Sequence, residues 1–251
     1  MVDYIVAVCV YITCFFCNQT SPIKCNGHTP LGKQRFYCDP KKGGCGKSFI
    51  DNYSNKGCLP ETKQTIIDMV LNGSGINDIS RVLDISHTTV IETIKAKACN
   101  IVKVNFDKAI NLSKVIMMQL SVELDEQWSW VQNKGNQRWL WAALDTHTGE
   151  MIAFVFGRRK DDAFKELKKL LSRYKIKTYR SDGWGSYVRL LDEKKHKISK
   201  ALTTKIERKF LTLRTRIKRL CRKTICFSKS ELMHDTVIGL FINRYEFGRA
   251  I

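Results

Sequence analysis

The spacing of apolar positions changes character twice along the chain, and the changes mark three segments. Residues 1–58 show little helical periodicity and are rich in Cys, Gly and Lys. Over 60–98 apolar residues recur every three or four positions, as in amphipathic helices. Pro60 suits a first helical position, Ile66, Ile67, Val70 and Leu71 form an inner face, and Gly73 and Gly75 end the helix. Ile79, Val82 and Leu83 mark a second helix. Asp84-Ile85-Ser86 makes a tight turn with Ser86 as N-cap, and Val90, Ile91 and Ile94 face inward on a third helix. Two short helices joined by such a turn are the helix-turn-helix pattern, which puts His87, Thr88 and Thr89 at the start of a recognition helix facing base edges.

Residues 99–114 read as a linker, and from about 115 the period becomes two. Leu120, Val122 and Leu124 alternate with Ser121, Glu123 and Asp125, predicting a strand that ends at Asp125. Further strands follow at Trp139–Asp145 and Met151–Phe156, separated by a turn at Thr146–Gly149. Asp161 is placed to cap a helix with Ala163, Phe164, Leu167, Leu170 and Leu171 inside. Ile176–Ser181 is a fourth strand, and from Thr204 a helical face runs through Ile206, Phe210, Leu213, Ile217 and Leu220. Three antiparallel strands, a crossover helix and a further strand suit an α/β sheet of the ribonuclease-H type, expected over 115–251.

Charge adds a partner. Lys and Arg number 43 against 24 Asp and Glu, a net +19 over 251 residues. An excess of that size points to a polyanion, nucleic acid before membrane. Between Lys194 and Lys223 there are 13 Lys or Arg and one acid, Glu207. The apolar start, residues 1–17, lacks a basic leader region, carries Asp3 and is shorter than a membrane span. It is expected to be a strand-like extension, and no membrane partner is expected.

Seven of the ten cysteines fall in the first 58 residues. Cys14-x2-Cys17 and Cys38-x6-Cys45 supply two thiolate pairs, the ligand set of a structural zinc ion, and the expected module is zinc-ribbon-like. The spacing requires residues 39–44 to loop out, and Cys25 or His28 could replace one ligand.

Paired divalent ions about 3.5–4 Å apart, held by carboxylates, are the machinery of phosphodiester chemistry, and carboxylate oxygens suit hard Mg2+. Asp125 at a strand end, Asp182 directly after the fourth strand with Gly183 behind it, and Glu207 in the basic helix are candidates. Each also has a plain structural role open to it: turns for the two aspartates, and for Glu207 a capping box with Thr204. Asp145 and Asp162 compete on spacing, so periodicity does not choose the triad.

A resemblance does. The chain resembles transposases of the insertion sequence one family from about Cys14 onward. It carries GKQRFYC, TKQTIIDMVLNG, LDEQWSWV, QRWLWAALD, VFGRR, SDGWGSY, HKISK, KIERKFLTLR and RKTICFSKS in order. The resemblance implies a ribonuclease-H-like fold, a catalytic triad at Asp125, Asp182 and Glu207, and a fourth site residue at Arg214. It implies Mg2+ (or Mn2+) at that site, structural Zn2+ on the cysteines, cleavage at terminal inverted repeats of double-stranded DNA, and strand transfer to target DNA. The chain departs from the family in a wider second cysteine pair, in Lys209-Phe210 after the Glu-Arg pair, in Asp84 for a turn glycine, and in the apolar leader.

The expected division is therefore 1–58 leader and zinc module, 60–98 helix-turn-helix, 99–114 linker, and 115–251 catalytic domain. Lys205, Arg208, Arg214, Arg216, Lys218 and Arg219 are expected on phosphates. The protein is expected inside the cell on DNA (cytoplasm and nucleoid, or the nucleus of a eukaryotic host), as a homo-oligomer when assembled there. A catalytically silent DNA-binding regulator and a nuclease that does not join strands are the alternatives.

Overall fold

The computed structural model describes residues 12–30, 32–50, 56–105 and 120–251. The expected leader as far as residue 11, and most of the expected linker, lie outside the described residues. The chain divides into two compact units between Leu59 and Pro60.

The first unit is a three-stranded antiparallel sheet of β1 (Ile23–His28), β2 (Gln34–Cys38) and β3 (Ser48–Ile50), in that order. Its apolar content is small: Phe36 and Phe49 pair across β2 and β3 with ring centroids 5.8 Å apart, beside buried Cys14 and Cys38. So few buried side chains cannot hold a fold of this size alone, and a further tie is needed.

The second unit begins with α1 (Pro60–Leu71), α2 (Ile76–Leu83) and α3 (His87–Ala96). The turn forms as its residues dictate. Asp84 takes the left-handed conformation (φ 53°) where glycine is cheaper, and the Ser86 hydroxyl accepts the Thr89 N–H at 3.1 Å.

A five-stranded mixed sheet follows: β4 (Leu120–Val131), β5 (Asn133–Asp145), β6 (Met151–Gly157), β7 (Ile176–Ser181) and β8 (His196–Ile198), ordered β6-β5-β4-β7-β8. β4 runs antiparallel to β5, and β5 to β6; β4 is parallel to β7, and β7 to β8. One face carries Val122, Leu124, Trp141 and Ala143 against Phe164, Leu167 and Leu171 of α4 (Asp161–Leu171) and Tyr187 of α5 (Gly185–Leu190). The other carries Leu140, Ala142 and Leu144 against α6 (Thr204–Arg216) and α7 (Glu231–Tyr245). Ile66, Ile67, Val70 and Ile94 join that same cluster, so the three-helix segment packs on α7.

Three local expectations are corrected. β4 does not end at Asp125 but continues six residues further, because its inner face goes on with buried Gln127 and Ser129 rather than with apolar residues. Asp161 does not cap α4: Lys160 is the N-cap, and the Asp161 carboxylate instead accepts Ser186 Oγ at 2.7 Å and Arg189 at 2.6 Å. The helical face through Leu220 breaks at Arg216, and a short 3-10 turn, Lys218–Leu220, completes it.

Candidate functional site

Two candidate ligand sets lie on these scaffolds. In the first unit the sulfurs of Cys14, Cys17, Cys38 and Cys45 all lie within 4.8 Å of one another, with 3.6 Å between Cys14 and Cys45 and between Cys17 and Cys38. Tetrahedral zinc with bonds of 2.3 Å puts its thiolates about 3.8 Å apart, so the donor set and its span fit that ion. Residues 39–44 do loop out, through a 3-10 turn at Pro40–Lys42 closed by left-handed Gly43 (φ 83°). Gly44 lies so close that a Cβ there would stand 2.6 Å from Cys38 Sγ. The Cys45 N–H points at Cys38 Sγ, 3.3 Å away. Burial pushes the Cys38 thiol up to about 12, so thiolates gathered here need a cation beside them. Cys25 and His28 lie on β1 and are not members of the cluster.

The second set is on the sheet. Glu123 of β4 pairs with Arg180 of β7 in parallel register. The pairing stops there and β7 ends at Ser181; Asp182 follows directly, two residues beyond Arg180, as Asp125 is two residues beyond Glu123. Asp125 shares the Glu123 face of β4, toward α6, whose first turn carries Glu207. Asp125 is mostly buried and its carboxyl is raised to about 7. Burial is the main cause, the Glu126 N–H opposes it, and the charges of Glu126, Asp182 and Glu207 add to it. Asp182 and Glu207 are exposed. Asp182 accepts the Trp184 N–H at 3.0 Å, and Glu207 accepts the Thr203 hydroxyl at 3.2 Å. Arg214 is half-buried on α6 near enough to feel the Asp125 charge.

Among the described residues no three carboxylates bring their oxygens within 4.8 Å of one another. One Mg2+ with bonds of 2.0–2.1 Å holds its oxygens no more than about 4.2 Å apart. The donor set is all oxygen, which suits a hard divalent ion. Of the rival aspartates, Asp145 is engaged in its own turn and Asp162 is exposed. Asp145 accepts the His147 N–H at 2.9 Å and the Thr148 hydroxyl in the β5–β6 turn, and exposed Asp162 faces Lys165.

Comparison with known proteins decides the family. Residues 118–248 match the family described as IS1 transposase, and residues 53–98 match the InsA C-terminal domain. The first match alone spans just over half of the chain. The chain belongs to the IS1 transposase family. It is 52% identical over 130 residues to the insertion element iso-IS1n protein InsB of Shigella dysenteriae, covering 52% of this chain and 99% of that protein. The insertion element IS1 protein InsB of Shigella sonnei is 43% identical over 126 residues, 50% of this chain and 96% of its own length. An InsB protein of Escherichia coli strain K12 is 44% identical over 121 residues, 48% of this chain and 72% of its own.

Within this IS1-family chain the residues expected on DNA divide into two kinds. His87 and Thr88 open α3 and are exposed, whereas Thr89 is turned into the cap, its hydroxyl 2.9 Å from Ser86 Oγ. Arg208 and Lys218 are exposed. Lys205 reaches back to the carbonyls of Thr146 and His147, and Arg216 stacks 4.2 Å over Tyr245 and 4.7 Å over Phe241. Arg219 departs most from a solvent-facing phosphate ligand: it is largely buried and donates to Ser228 Oγ at 2.8 Å. Among the described residues no helix is long and apolar enough to cross a membrane.

Sequence reasoning missed two carboxylates beside the site. Glu123 is 2% exposed, and Glu126 is paired with Arg159 and Tyr187 on the opposite face. Their only signal was acidity at strand positions whose neighbours are buried. The capping box expected between Thr204 and Glu207 is also corrected. Thr203 is the N-cap and makes no side-chain cap bond, because Glu123 supplies the acceptor instead.

Proposed function

We propose that this chain is a DNA transposase that cuts at its element's ends and joins the freed strand to target DNA, with Asp125, Asp182 and Glu207 as the catalytic carboxylates of a ribonuclease-H-like domain. The observation that carries the reading is the Asp125 neighbourhood. A buried carboxylate crowded by two others on adjacent elements is costly unless a cation joins it. The sheet, with three antiparallel strands followed by strands parallel to its centre, supports the same fold reading.

Asp125, Asp182 and Glu207 would hold Mg2+ (or Mn2+), and ions bound there would supply activation of the attacking hydroxyl and stabilisation of the leaving oxygen. Asp125 is held along β4, while Asp182 and Glu207 are exposed and engaged through the Trp184 N–H and the Thr203 hydroxyl. Arg214 lends a positive charge next to Asp125 for a phosphate that approaches. The four cysteines would hold Zn2+ as a structural tie. His87 and Thr88 on α3 would meet base edges, and Arg208 and Lys218 would meet phosphates, giving a salt-dependent affinity without sequence information. Largely buried Arg219 would support that surface from within the protein, while exposed Lys205 and Arg216 are held along it by their own contacts with the protein. Copies assembled on DNA would bring the two ends of the element together.

The test is incubation of the full chain with Mg2+ and duplex DNA carrying the element's ends. Joined products are expected. Cleavage without joining would make the protein a nuclease, and binding without either would make it a silent regulator. Asp182→Asn should abolish the chemistry and leave DNA binding intact; activity that survives this change would overturn the triad.

A further inference from the structure

Residues 123–126 of β4 read Glu-Leu-Asp-Glu, so three carboxylates fall within four positions of the central strand. Alternation sends Glu123 and Asp125 to one face and Glu126 to the other. Burying a carboxylate is unfavourable unless its oxygens are matched by donors, and both glutamates are matched in an informative way. A single oxygen of Glu123 accepts the backbone N–H groups of Lys205 and Ile206, at 3.1 and 3.0 Å. These are orphan donors of the first turn of α6, and Glu207 follows one residue later. The strand that carries Asp125 therefore also anchors the helix that carries Glu207.

On the opposite face, the Glu126 side chain is fully buried and accepts Tyr187 Oη at 2.6 Å and Arg159 Nε at 2.6 Å. The Arg159 guanidinium lies 3.7 Å over the Trp184 ring and 4.8 Å over Trp139. Trp184 in turn donates its backbone N–H to Asp182. Glu126, Arg159 and Trp184 thus form a continuous line from β4 to the turn that holds Asp182.

We infer that Glu123 and Glu126 are positioning residues that register the other two catalytic carboxylates against Asp125, Glu123 setting Glu207 and Glu126 setting Asp182. The inference rests on the metal-binding reading of Asp125, Asp182 and Glu207 above. Glu126 is kept from a metal because both its oxygens are engaged, Oε1 by Arg159 and Oε2 by Tyr187, and Glu123 commits Oε2 to the two N–H groups of α6. The two work independently on opposite faces of one strand, so damage to one leaves the other carboxylate in register.

The experiment is a titration of the zinc-loaded full chain with Mn2+, followed by the electron spin resonance of the bound ion, with the thermal midpoint recorded in parallel. Glu123→Leu keeps the side chain's bulk and removes the acceptor. It is expected to weaken Mn2+ binding by ~10-fold or more, the usual effect of losing a partner that orients a metal ligand. Glu123→Gln retains an oxygen able to accept both N–H groups, and should recover affinity to within about threefold of the native protein. Glu126→Leu should weaken binding comparably and change the spectrum of the bound ion, with Glu126→Gln intermediate. A purely structural role predicts a lower thermal midpoint with native Mn2+ affinity in the Leu variants, and that result would overturn the proposal. Should Glu123→Leu not fold, Glu123→Asp withdraws the acceptor by one methylene, and native affinity there would overturn it equally. Asp125→Asn in the same titration separates the two levels. If it binds Mn2+ like the native chain, the site reading fails; if it does not and the glutamate variants do, only the positioning role fails.

Discussion

The four cysteines of the first unit and the three candidate carboxylates of the second are both drawn from distant parts of the chain, and they are gathered to different degrees. The sulfurs lie within 4.8 Å of one another, while the carboxylates lie within electrostatic reach without meeting that limit. The cysteines sit in a unit with few buried apolar side chains, the carboxylates on the edge of a large core. A closed, four-ligand set suits a tie whose binding energy is folding energy. A wider, partly exposed set suits ions that must also meet a phosphate. The difference predicts that one metal makes its scaffold and the other only loads it.

The largest test is zinc removal. Stripping the ion from the cysteines should cost the first unit on the order of 10 kcal/mol and unfold it, so that its residues become protease-sensitive. The second unit should hold its thermal midpoint. All five tryptophans, Trp128, Trp130, Trp139, Trp141 and Trp184, lie in that unit, so tryptophan fluorescence follows it alone. A first unit that stays folded without metal would erase the contrast.

Next comes the cost of crowding carboxylates where no cation sits. Asp125 titrates near 3.8 in an unfolded chain and near 7 in the folded one. As pH rises from about 4 to 7, the unfolded chain gives up this proton and the folded chain keeps it, so stability falls; above 7 the penalty is constant. With Mg2+ absent, Asp125→Asn should therefore be more stable than the native chain at pH 8 by ~2–4 kcal/mol, and no more stable at pH 4. Its fluorescence melting curve should rise by several degrees at the higher pH. Equal midpoints at pH 8 would mean that the site holds no strain for a cation to relieve.

These contrasts were legible in the sequence to uneven depth. The helical segment was plain because Ile66, Ile67, Val70 and Ile94 repeat with the helix period and Ser86 caps through a bond three residues away, all local signals. The cysteine set was nearly so: two thiol pairs were visible, and the loop between Cys38 and Cys45 needed only the glycines already present. The carboxylate site was not. Asp145 and Asp162 matched the spacing as well as Asp125 did, and only the resemblance chose among them; the bond from Asp145 to its own turn is a folded-state fact. The true acceptor at the start of α6 is Glu123, some eighty residues upstream, a pairing that no local pattern contains. Gln127 and Ser129 made the inner face of β4 look polar, so the strand read as ending too soon.

The smallest effect sharpens the account of the second unit, and it is hidden in the native chain. His234 of α7 is fully buried, with Nε2 2.9 Å from Ser129 Oγ and Nδ1 3.1 Å from Ser228 Oγ. Ser129 donates to the Arg138 carbonyl and Ser228 accepts from Arg219, so the ring donates through Nε2 and accepts through Nδ1. That leaves no place for a second proton. Burial, with the charges of Arg219 and Arg138 behind it, lowers this histidine to about 3. As pH falls below 6.5 the unfolded chain takes up the proton and the folded chain refuses it, a loss of about 2 kcal/mol by pH 5. His196, lowered by burial, acts in the same direction. Over this same window Asp125 acts with the opposite sign, so the two slopes largely cancel in the metal-free native protein. Asp125→Asn should uncover the histidine, its midpoint falling by roughly 4–8 °C between pH 7 and 5. Adding His234→Gln, which can still donate to one serine and accept from the other, should remove most of that fall. A double variant as acid-sensitive as Asp125→Asn alone would show that the proton is refused elsewhere than at His234.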